Sequence, residues 1–156
     1  MPSQYLTVDG HKKLGEELEF LRITRRKEVA DRLRDAAEAS LGEFVEDPEF
    51  ESAKNEQSFV EGRIRELEII LADAQIISKR RKTNGVIEIG SKVTIKEGRY
   101  KPEEYMIVGA AEANPIDGMI SFESPLGSAL IGKKTGEKAE ISAPSGSFTV
   151  KVVEVK

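Results

Sequence analysis

The sequence predicts an α+β protein in two parts. Residues 1–78 form an N-terminal antiparallel α-helical coiled-coil hairpin, and residues 89–156 form a β-rich domain with one short helix. Two observations predict this division. Apolar residues recur at intervals of three and four in the first part, whereas short β-branched segments between Gly, Pro and Asn residues fill the second. A polar stretch at 79–88 is the predicted linker.

The composition excludes several classes of protein. Of the 156 residues, 33% are charged and 38% hydrophobic, a balance typical of a folded chain, and no apolar run is long enough to cross a membrane. The first residues, MPSQYLTVDGHKK, lack the pattern of a secretory signal. With no Cys and one His, disulfides, thiolate zinc sites and His-rich metal sites are excluded. We expect a cytoplasmic protein without a membrane partner.

The clearest periodicity predicts a helix over residues 47 to about 78. Asp47 is a suitable N-cap and Pro48 fits the first helical position. The apolar positions are spaced alternately three and four apart, which is a heptad pattern with one polar member, Gln57. These positions are Phe50, Ala53, Gln57, Val60, Ile64, Leu67, Leu71 and Ala74.

An earlier helix is predicted from about Val8 to Glu38, although the step from Leu21 to Val29 departs from a strict heptad. The short segment ASLGEFVE at 39–46 joins the two helices, with Gly42 as the turning point. Two helices joined in this way form an antiparallel hairpin. At ~1.5 Å per residue it is a rod roughly 45 Å long, with an acidic tip near residues 42–50.

The second part begins after the polar sequence KRRK at 79–82, which suits either a solvated linker or a nucleic-acid contact. Strands are predicted at VIEIG, KVTIK, EEYMIVGA, GMISF, KAEIS and FTVKVVEV. SPLGSALIG at 124–132 instead predicts a short helix. Ser124 is its N-cap, Pro125 its first residue, and Gly132 follows its end.

The charges of the hairpin are unevenly distributed. Six basic residues lie between Arg22 and Arg34, whereas residues 38–51 contain six acids and no base. The basic residues suit either the phosphates of a single nucleic-acid strand or salt bridges with acids of the second helix. Glu43 and Glu46 at the tip could supply oxygen ligands to Mg²⁺, but a slender tip cannot enclose a catalytic pocket of its own. For Asp47 and Glu49, a simple role at the helix N-terminus is favoured.

Three segments of the chain resemble the bacterial Gre family of transcript cleavage factors, most closely its GreA-type members. They are LTVDGHKKLGEELEFL, GEFVEDPEFESAKNEQSFVEGRIRELE and ISFESPLGSALIGKKTGEKAEISAPSG, and the resemblance covers essentially the full length. It implies that the second domain is FKBP-like and that the partners are bacterial RNA polymerase and the 3′ end of backtracked nascent RNA. It also implies an accessory factor that stimulates cleavage by the polymerase and is not itself an enzyme.

The resemblance further implies roles for particular residues. The C-terminal domain binds the polymerase, and the coiled coil enters the secondary channel. Cleavage would require the catalytic, metal-ligating acids Glu43 and Glu46, which share Mg²⁺ with the polymerase active centre; the factor holds no cofactor alone. RNA-facing basic residues would be Arg22, Arg25, Arg26, Arg32, Arg34 and Lys54. Polymerase-binding residues would be Ser124, Pro125, Leu126 and Gly127.

The tip departs from the family motif in ways that leave the role open. The essential Asp of the family falls at Glu43, the essential Glu at Glu46, the Asn at Asp47 and the Tyr at Phe50. On the basis of the resemblance we expect a monomeric elongation factor that stimulates transcript cleavage. One alternative is a non-cleaving homologue that occupies the channel and inhibits. A further alternative is a structural adaptor with a coiled coil and an FKBP-like domain.

Overall fold

The computed structural model describes residues 4–39, 47–78 and 85–156, which form two units. The hairpin unit contains residues 12–39 and 47–73, and the sheet unit contains residues 4–11, 74–78 and 85–156. The boundaries differ from the predicted division at 78 and 89. The reason is that strand β1 (Gln4–Thr7) pairs in parallel with strand β2 (Ala74–Ile77), and both lie in the sheet unit.

The first long helix confirms the prediction and extends from Val8 to Ala39. It consists of α1 (Val8–Phe20), a π-helical turn at Leu21–Arg25, and α2 (Arg26–Ala39). In the π-helical turn, the amide of Arg26 donates to the carbonyl of Leu21, five residues earlier. A single π turn inserts one residue into the helix. It therefore accounts for the step of eight between the buried Leu21 and Val29, where a heptad repeat would give seven.

The second long helix, α3 (Pro48–Ala72), begins where the sequence predicts and ends earlier than predicted. The side chain of Asp47 accepts a hydrogen bond of 3.0 Å from the amide of Glu49, which makes Asp47 the N-cap. At the other end, residues 74–77 are strand β2, so the prediction of helix to about 78 is wrong there. Ala74–Ile77 extend because their backbone pairs with Gln4–Thr7.

The seam of the hairpin unit is formed by apolar residues, as predicted. The one polar member of the predicted heptad pattern, Gln57, is exposed and does not contribute to the seam. Leu71 is half-buried, as are Leu33 and Ala36 of the first helix. The buried residues of the two helices are Leu14, Leu18, Leu21 and Val29, together with Ala53, Val60, Ile64 and Leu67.

A five-stranded sheet forms the centre of the sheet unit, in the order β5-β4-β3-β7-β6. The pairs β3/β4, β3/β7 and β6/β7 are antiparallel, and β4/β5 is parallel. Five of the six predicted strands are present. They are β3 (Lys92–Lys96), β4 (Glu103–Val108), β5 (Met119–Ser121), β6 (Lys138–Ala143) and β7 (Gly146–Val155).

The predicted strand VIEIG is not a strand. Val86 makes an isolated bridge to Lys134, and the amide of Ile87 donates to the carbonyl of Lys133 at 2.9 Å. Ile87 is fully buried in the core of the unit. Residues 85–88, which the sequence assigned to the linker, are therefore packed on the sheet unit through a buried isoleucine.

The core of the sheet unit lies between the sheet and the predicted short helix, α4 (Pro125–Leu130). Alternate residues of the central strands are directed into this core, as Val150 and Val152 are on β7. Leu126 of α4 packs against this core from a half-buried position. The buried cluster comprises Ile87, Val93, Ile95, Ile107, Leu130, Ala139, Ile141, Val150 and Val152.

Candidate functional site

The predicted catalytic and metal-ligating pair, Glu43 and Glu46, lies outside the described residues. The adjacent Asp47 is described, and its carboxylate caps α3. Glu49 lies in the first turn of the same helix, with Arg32 Nη2 at 3.6 Å from its Oε2. Asp47 is therefore at the helix N-terminus in the role favoured from the sequence, and Glu49 lies in the first turn with an arginine of the first helix as its partner.

Four of the five arginines predicted to face RNA form salt bridges to acids of α3. Arg26 donates two hydrogen bonds to the carboxylate of Glu61, at 2.7 and 2.9 Å. Arg22 pairs with Glu68. Because earlier residues of the first helix pair with later residues of α3, these contacts also establish that the two helices run antiparallel.

Glu56 is the centre of a small network on the hairpin unit. Its carboxylate accepts from both Arg25 and Arg32. Arg25 also donates to Glu28 at 2.6 Å, one turn along its own helix. The sequence left phosphate contacts and interhelical salt bridges as equal alternatives for the arginines, and in this structure the guanidinium groups of Arg22, Arg25, Arg26 and Arg32 form interhelical salt bridges.

The electrostatics follow from these contacts. The hydrogen bonds from Arg26 hold the pKa of the Glu61 carboxyl below its usual value. In return, the bond to Glu61 raises the pKa of the Arg26 guanidinium, and the bond to Glu28 does the same for Arg25. All of these groups therefore stay ionised near neutral pH. Because the pairs are solvent-exposed, each adds little to stability and is weakened by salt.

The remaining basic residues of the hairpin unit differ in their contacts. Arg34 pairs within its own helix with Asp31 at 3.0 Å. Lys54 lies 3.7 Å from a Glu51 oxygen and 5.4 Å from the centre of the Phe50 ring. Lys27, which the sequence counted in the basic stretch, is exposed and has no salt bridge to another described residue. Lys27 is thus the cation of this stretch with the fewest competing contacts.

The predicted polymerase-binding segment is divided between structural and exposed residues. Ser124 Oγ accepts from the amide of Gly127 at 3.0 Å and donates to the carbonyl of Ser121 at 2.7 Å. Gly127 is buried, and a Cβ there would lie 2.0 Å from the Ser121 carbonyl oxygen. Ser124, Gly127 and Leu126 therefore fix α4 on the sheet unit, and the exposed residues of α4 are Pro125 and Ser128.

Sequence reasoning missed two interactions of charged residues. Arg63 donates to both carboxylate oxygens of Glu17, at 2.7 and 3.0 Å, and these bonds raise its pKa. Glu112 is buried in the sheet unit and accepts from Thr7. The heptad spacing could have indicated the salt bridge between Arg63 and Glu17, since charged residues commonly flank such a seam. Nothing in the sequence near Thr7 or Glu112 indicates that these two residues are in contact.

The described residues form neither a cluster of metal-binding side chains nor a membrane-spanning helix. Residues 4–39, 47–78 and 85–156 contain no group of three or more His, Cys, Asp or Glu side chains suited to a metal ion. Among the same residues, no helix has the length and apolar character needed to span a membrane.

Comparison with known proteins identifies the family. Residues 4–76 match the family described as "Transcription elongation factor, N-terminal", and residues 82–156 match "Transcription elongation factor, GreA/GreB, C-term". A curated relative, "Transcription elongation factor GreA" of Clostridium acetobutylicum, is 45% identical over 97% of this chain and 95% of its own length. Its namesake in Roseiflexus sp. (strain RS-1) is 46% identical over 97% and 96%.

Among solved structures, GreA factor homolog 1 of Thermus thermophilus is 32% identical, covers 99% of both chains and has a TM-score of 0.44. The two family matches cover both halves of the chain, and the relatives align along nearly all of it. The match therefore extends from the hairpin through α4 to the last strand. This chain belongs to the GreA/GreB family of transcription elongation factors.

Proposed function

We propose that this chain binds bacterial RNA polymerase, inserts its helical hairpin into the secondary channel and stimulates the polymerase to cleave backtracked nascent RNA. As a member of the GreA/GreB family, it is an accessory factor of transcription and not a catalyst in its own right. The observation that carries the proposal is the antiparallel hairpin. α2 ends at Ala39 and α3 begins at Pro48, so the chain between two long helices contains Glu43 and Glu46.

The chemistry of those two acids supports the proposal. Two carboxylates suit Mg²⁺, which binds few protein oxygens and retains several waters. Glu43 and Glu46 would hold the Mg²⁺ of the polymerase active centre, where the ion supplies charge neutralisation and an activated water for phosphodiester hydrolysis. The N-cap at Asp47 contributes indirectly, because it directly follows Glu46 and fixes the start of α3 at Pro48.

The test is a transcript cleavage assay on a stalled elongation complex, with polymerase binding measured separately by competition. Glu46→Gln and Glu43→Gln should each reduce cleavage while binding persists, because the charge is lost and the size retained. Glu51→Gln is the matched control, since Glu51 is an exposed acid of the same helix end. If Glu51→Gln reduces cleavage as much as Glu46→Gln does, the two tip acids have no special role and the proposal fails.

A second candidate function rests on one residue of the sequence. Glu43 is one methylene longer than the Asp that the family motif has at this position, and a displacement of about 1 Å at a reacting centre can cost on the order of 100-fold in rate. The chain would then occupy the channel and inhibit. Glu43→Asp decides between the two. Strong cleavage by the variant together with slowed elongation by the wild type would establish the inhibitory function.

The surface proposed to bind the polymerase is the exposed side of α4, formed by Pro125 and Ser128. We expect Ser128→Glu to weaken binding to the polymerase. Ser147→Glu on β7 is the control, because Ser147 is equally exposed and lies on another element. Equal loss of binding in both variants would contradict a role for α4. The proposed binding to bacterial RNA polymerase implies a cytoplasmic location.

A further inference from the structure

Three lysines lie side by side across three neighbouring strands of the sheet. Lys96 of β3 pairs in register with Lys151 of β7, and Lys151 pairs in register with Lys138 of β6. Residues directly opposite on neighbouring strands project from the same face, with Cβ atoms about 5 Å apart. All three are exposed. These three residues form what we call the lysine row.

The lysine row is not neutralised within the described part of the chain. Lys92 of the same sheet lies 2.6 Å from a Glu104 oxygen, and Lys156 lies 3.9 Å from a Glu154 oxygen. By contrast, no lysine of the row forms a salt bridge with another described residue. Like charges directly opposite one another destabilise a sheet. The repulsion among these lysines therefore costs some folding free energy, which a bound anion would reduce.

The row lines an open pocket of about 670 Å³ on the surface of the sheet unit. A pocket of this volume suits a small ligand. A Cβ atom added at Gly98 or at Gly136 would have no other atom within 4 Å, so the pocket is open at both glycines. Two threonine hydroxyls can donate hydrogen bonds to anionic oxygens. Besides the row, the lining includes Gly98, Gly136, Thr135, Thr149 and Val153.

Acidic residues on both sides limit the length of an anion that the row can accept. Glu140 lies two residues from Lys138 on β6, and Glu154 pairs in register with Thr94, two residues from Lys96 on β3. Residues two apart on a strand share a face. Both glutamates are exposed there, and an extended polyanion would meet their carboxylates. A compact anion would contact only the lysines.

The lining also indicates which part of a ligand is recognised. Among the described residues, none that lines the pocket is aromatic, so none of them can stack on a nucleobase. The three ammonium groups are point charges suited to phosphate oxygens. We propose that the lysine row binds the phosphate chain of a compact polyphosphate, either a nucleoside triphosphate or a short inorganic polyphosphate such as tripolyphosphate. The proposal does not depend on the function proposed for the hairpin.

The test is a titration of the full chain with sodium tripolyphosphate, UTP or ATP at fixed salt and without divalent cations, followed by backbone amide chemical shifts. We expect the shifts to concentrate at residues 96, 135–138 and 149–151. Lys151→Gln should weaken tripolyphosphate binding by about tenfold, which corresponds to about 1.4 kcal/mol. Lys101→Gln is the control, because it removes the same charge from an exposed position of the same unit outside this pocket. It should leave the affinity unchanged.

The ligands and variants distinguish the alternatives. Similar affinities of UTP, ATP and tripolyphosphate would establish recognition of the phosphate chain, and tighter binding of tripolyphosphate alone would assign the site to inorganic polyphosphate. Equal weakening by Lys151→Gln and Lys101→Gln would overturn the proposal in favour of diffuse charge. So would displacement of tripolyphosphate by duplex DNA or single-stranded RNA at equal phosphate concentration. Lys138→Gln, on the edge strand β6, provides a second variant if Lys151→Gln unfolds.

Discussion

The carboxylate of Glu112 accepts hydrogen bonds from both the amide and the hydroxyl of Thr7, at 2.8 and 2.6 Å, although the two residues are 105 positions apart in the chain. Thr7 Oγ1 in turn accepts from the amide of Gly10 at 3.0 Å, which caps the start of α1. A carboxylate at the start of a helix is also favoured by the helix dipole. Glu112 thus connects the short turn at Ala110–Glu112 with the beginning of the first helix.

Replacement of Glu112 tests how much this connection stabilises the sheet unit. Glu112→Ala removes a charged acceptor and leaves the amide of Thr7 without its partner, so we expect a loss of about 2 kcal/mol in the free energy of unfolding. Urea denaturation measures the change. Glu123→Ala, at an exposed position of the same unit, should change stability by less than about 0.5 kcal/mol. Comparable losses in both variants would mean that the Thr7 contact is not stabilising.

Two glycines in helices should respond to alanine in opposite directions. A Cβ at Gly62 of α3 would meet no other atom, so Gly62→Ala should stabilise the hairpin unit by up to about 1 kcal/mol through helix propensity. At Gly127 the added Cβ would lie 2.0 Å from a backbone oxygen, and Gly127→Ala should destabilise the sheet unit by about 2 kcal/mol. Urea denaturation of the two variants provides the measurement. A stable Gly127→Ala protein would contradict the close packing of α4.

The sequence predicted the elements of the hairpin because its signals are local. Asp47 and Pro48 mark the start of α3 by their own chemistry, and the uneven step from Leu21 to Val29 already indicated the irregularity that the π-helical turn explains. The end of α3 could not be predicted in this way. Residues 74–77 continue an apolar pattern that suits a helix equally well, and only their pairing with β1, some 70 positions earlier, makes them a strand.

For the candidate site, the sequence indicated which charged residues matter but not which partners they contact. Charge counting alone could not decide whether the arginines of the first long helix contact RNA or α3, because that depends on which face of the helix each one occupies. The partners Glu61 and Glu68 became evident only once the two helices were aligned. The lysine row was hidden for a related reason, since the register of β3, β7 and β6 brings together three residues that are far apart in the chain.

Tyr105 should titrate at unusually high pH. The hydrogen bond from its hydroxyl to Glu103, with burial and the negative charge of Glu103 adding to it, raises the pKa of Tyr105 to about 12. We therefore expect one of the three tyrosines to form phenolate only near pH 12 in a spectrophotometric titration. Glu103→Ala should lower that pKa toward the ordinary value of about 10. The part of the increase that is due to burial of Tyr105 should remain.

The same pair gives a stability difference with a defined sign. Because the folded pKa of Tyr105 is raised, its contribution is fully present below about pH 10 and is lost as the pH rises toward about 12. The difference in stability between wild type and Glu103→Ala should be constant from neutral pH to about pH 10 and shrink above it. A difference that grows with alkaline pH would contradict the hydrogen bond.

The salt bridge between Arg26 and Glu61 predicts the opposite dependence at acid pH. The pKa of Glu61 is lowered in the folded chain, chiefly by the hydrogen bonds from Arg26, so its contribution is present above the unfolded pKa and is lost as the pH falls through the folded one. Glu61→Gln should therefore destabilise the hairpin slightly at neutral pH and less in acid. Circular dichroism during denaturation measures this. A variant that is destabilised equally at both pH values would exclude the ion pair as the cause.

RNA crosslinking separates the structural cations of the hairpin from one that is available to a phosphate. Arg25 and Arg26 are held by Glu28, Glu56 and Glu61, so the double variant Arg25→Ala, Arg26→Ala should lower hairpin stability and leave crosslinking per folded molecule nearly unchanged.

Lys27 is exposed and forms no salt bridge with another described residue. Lys27→Gln should therefore reduce crosslinking to nascent RNA in a stalled elongation complex, without a loss of stability, and this reduction should be larger at low salt. Lys12→Gln is the control, because Lys12 is an exposed lysine that pairs along its own helix with Glu16 at 3.9 Å. If the arginine variant loses crosslinking per folded molecule and Lys27→Gln does not, the interhelical salt bridges must open in the complex and the arginines are the residues that contact RNA.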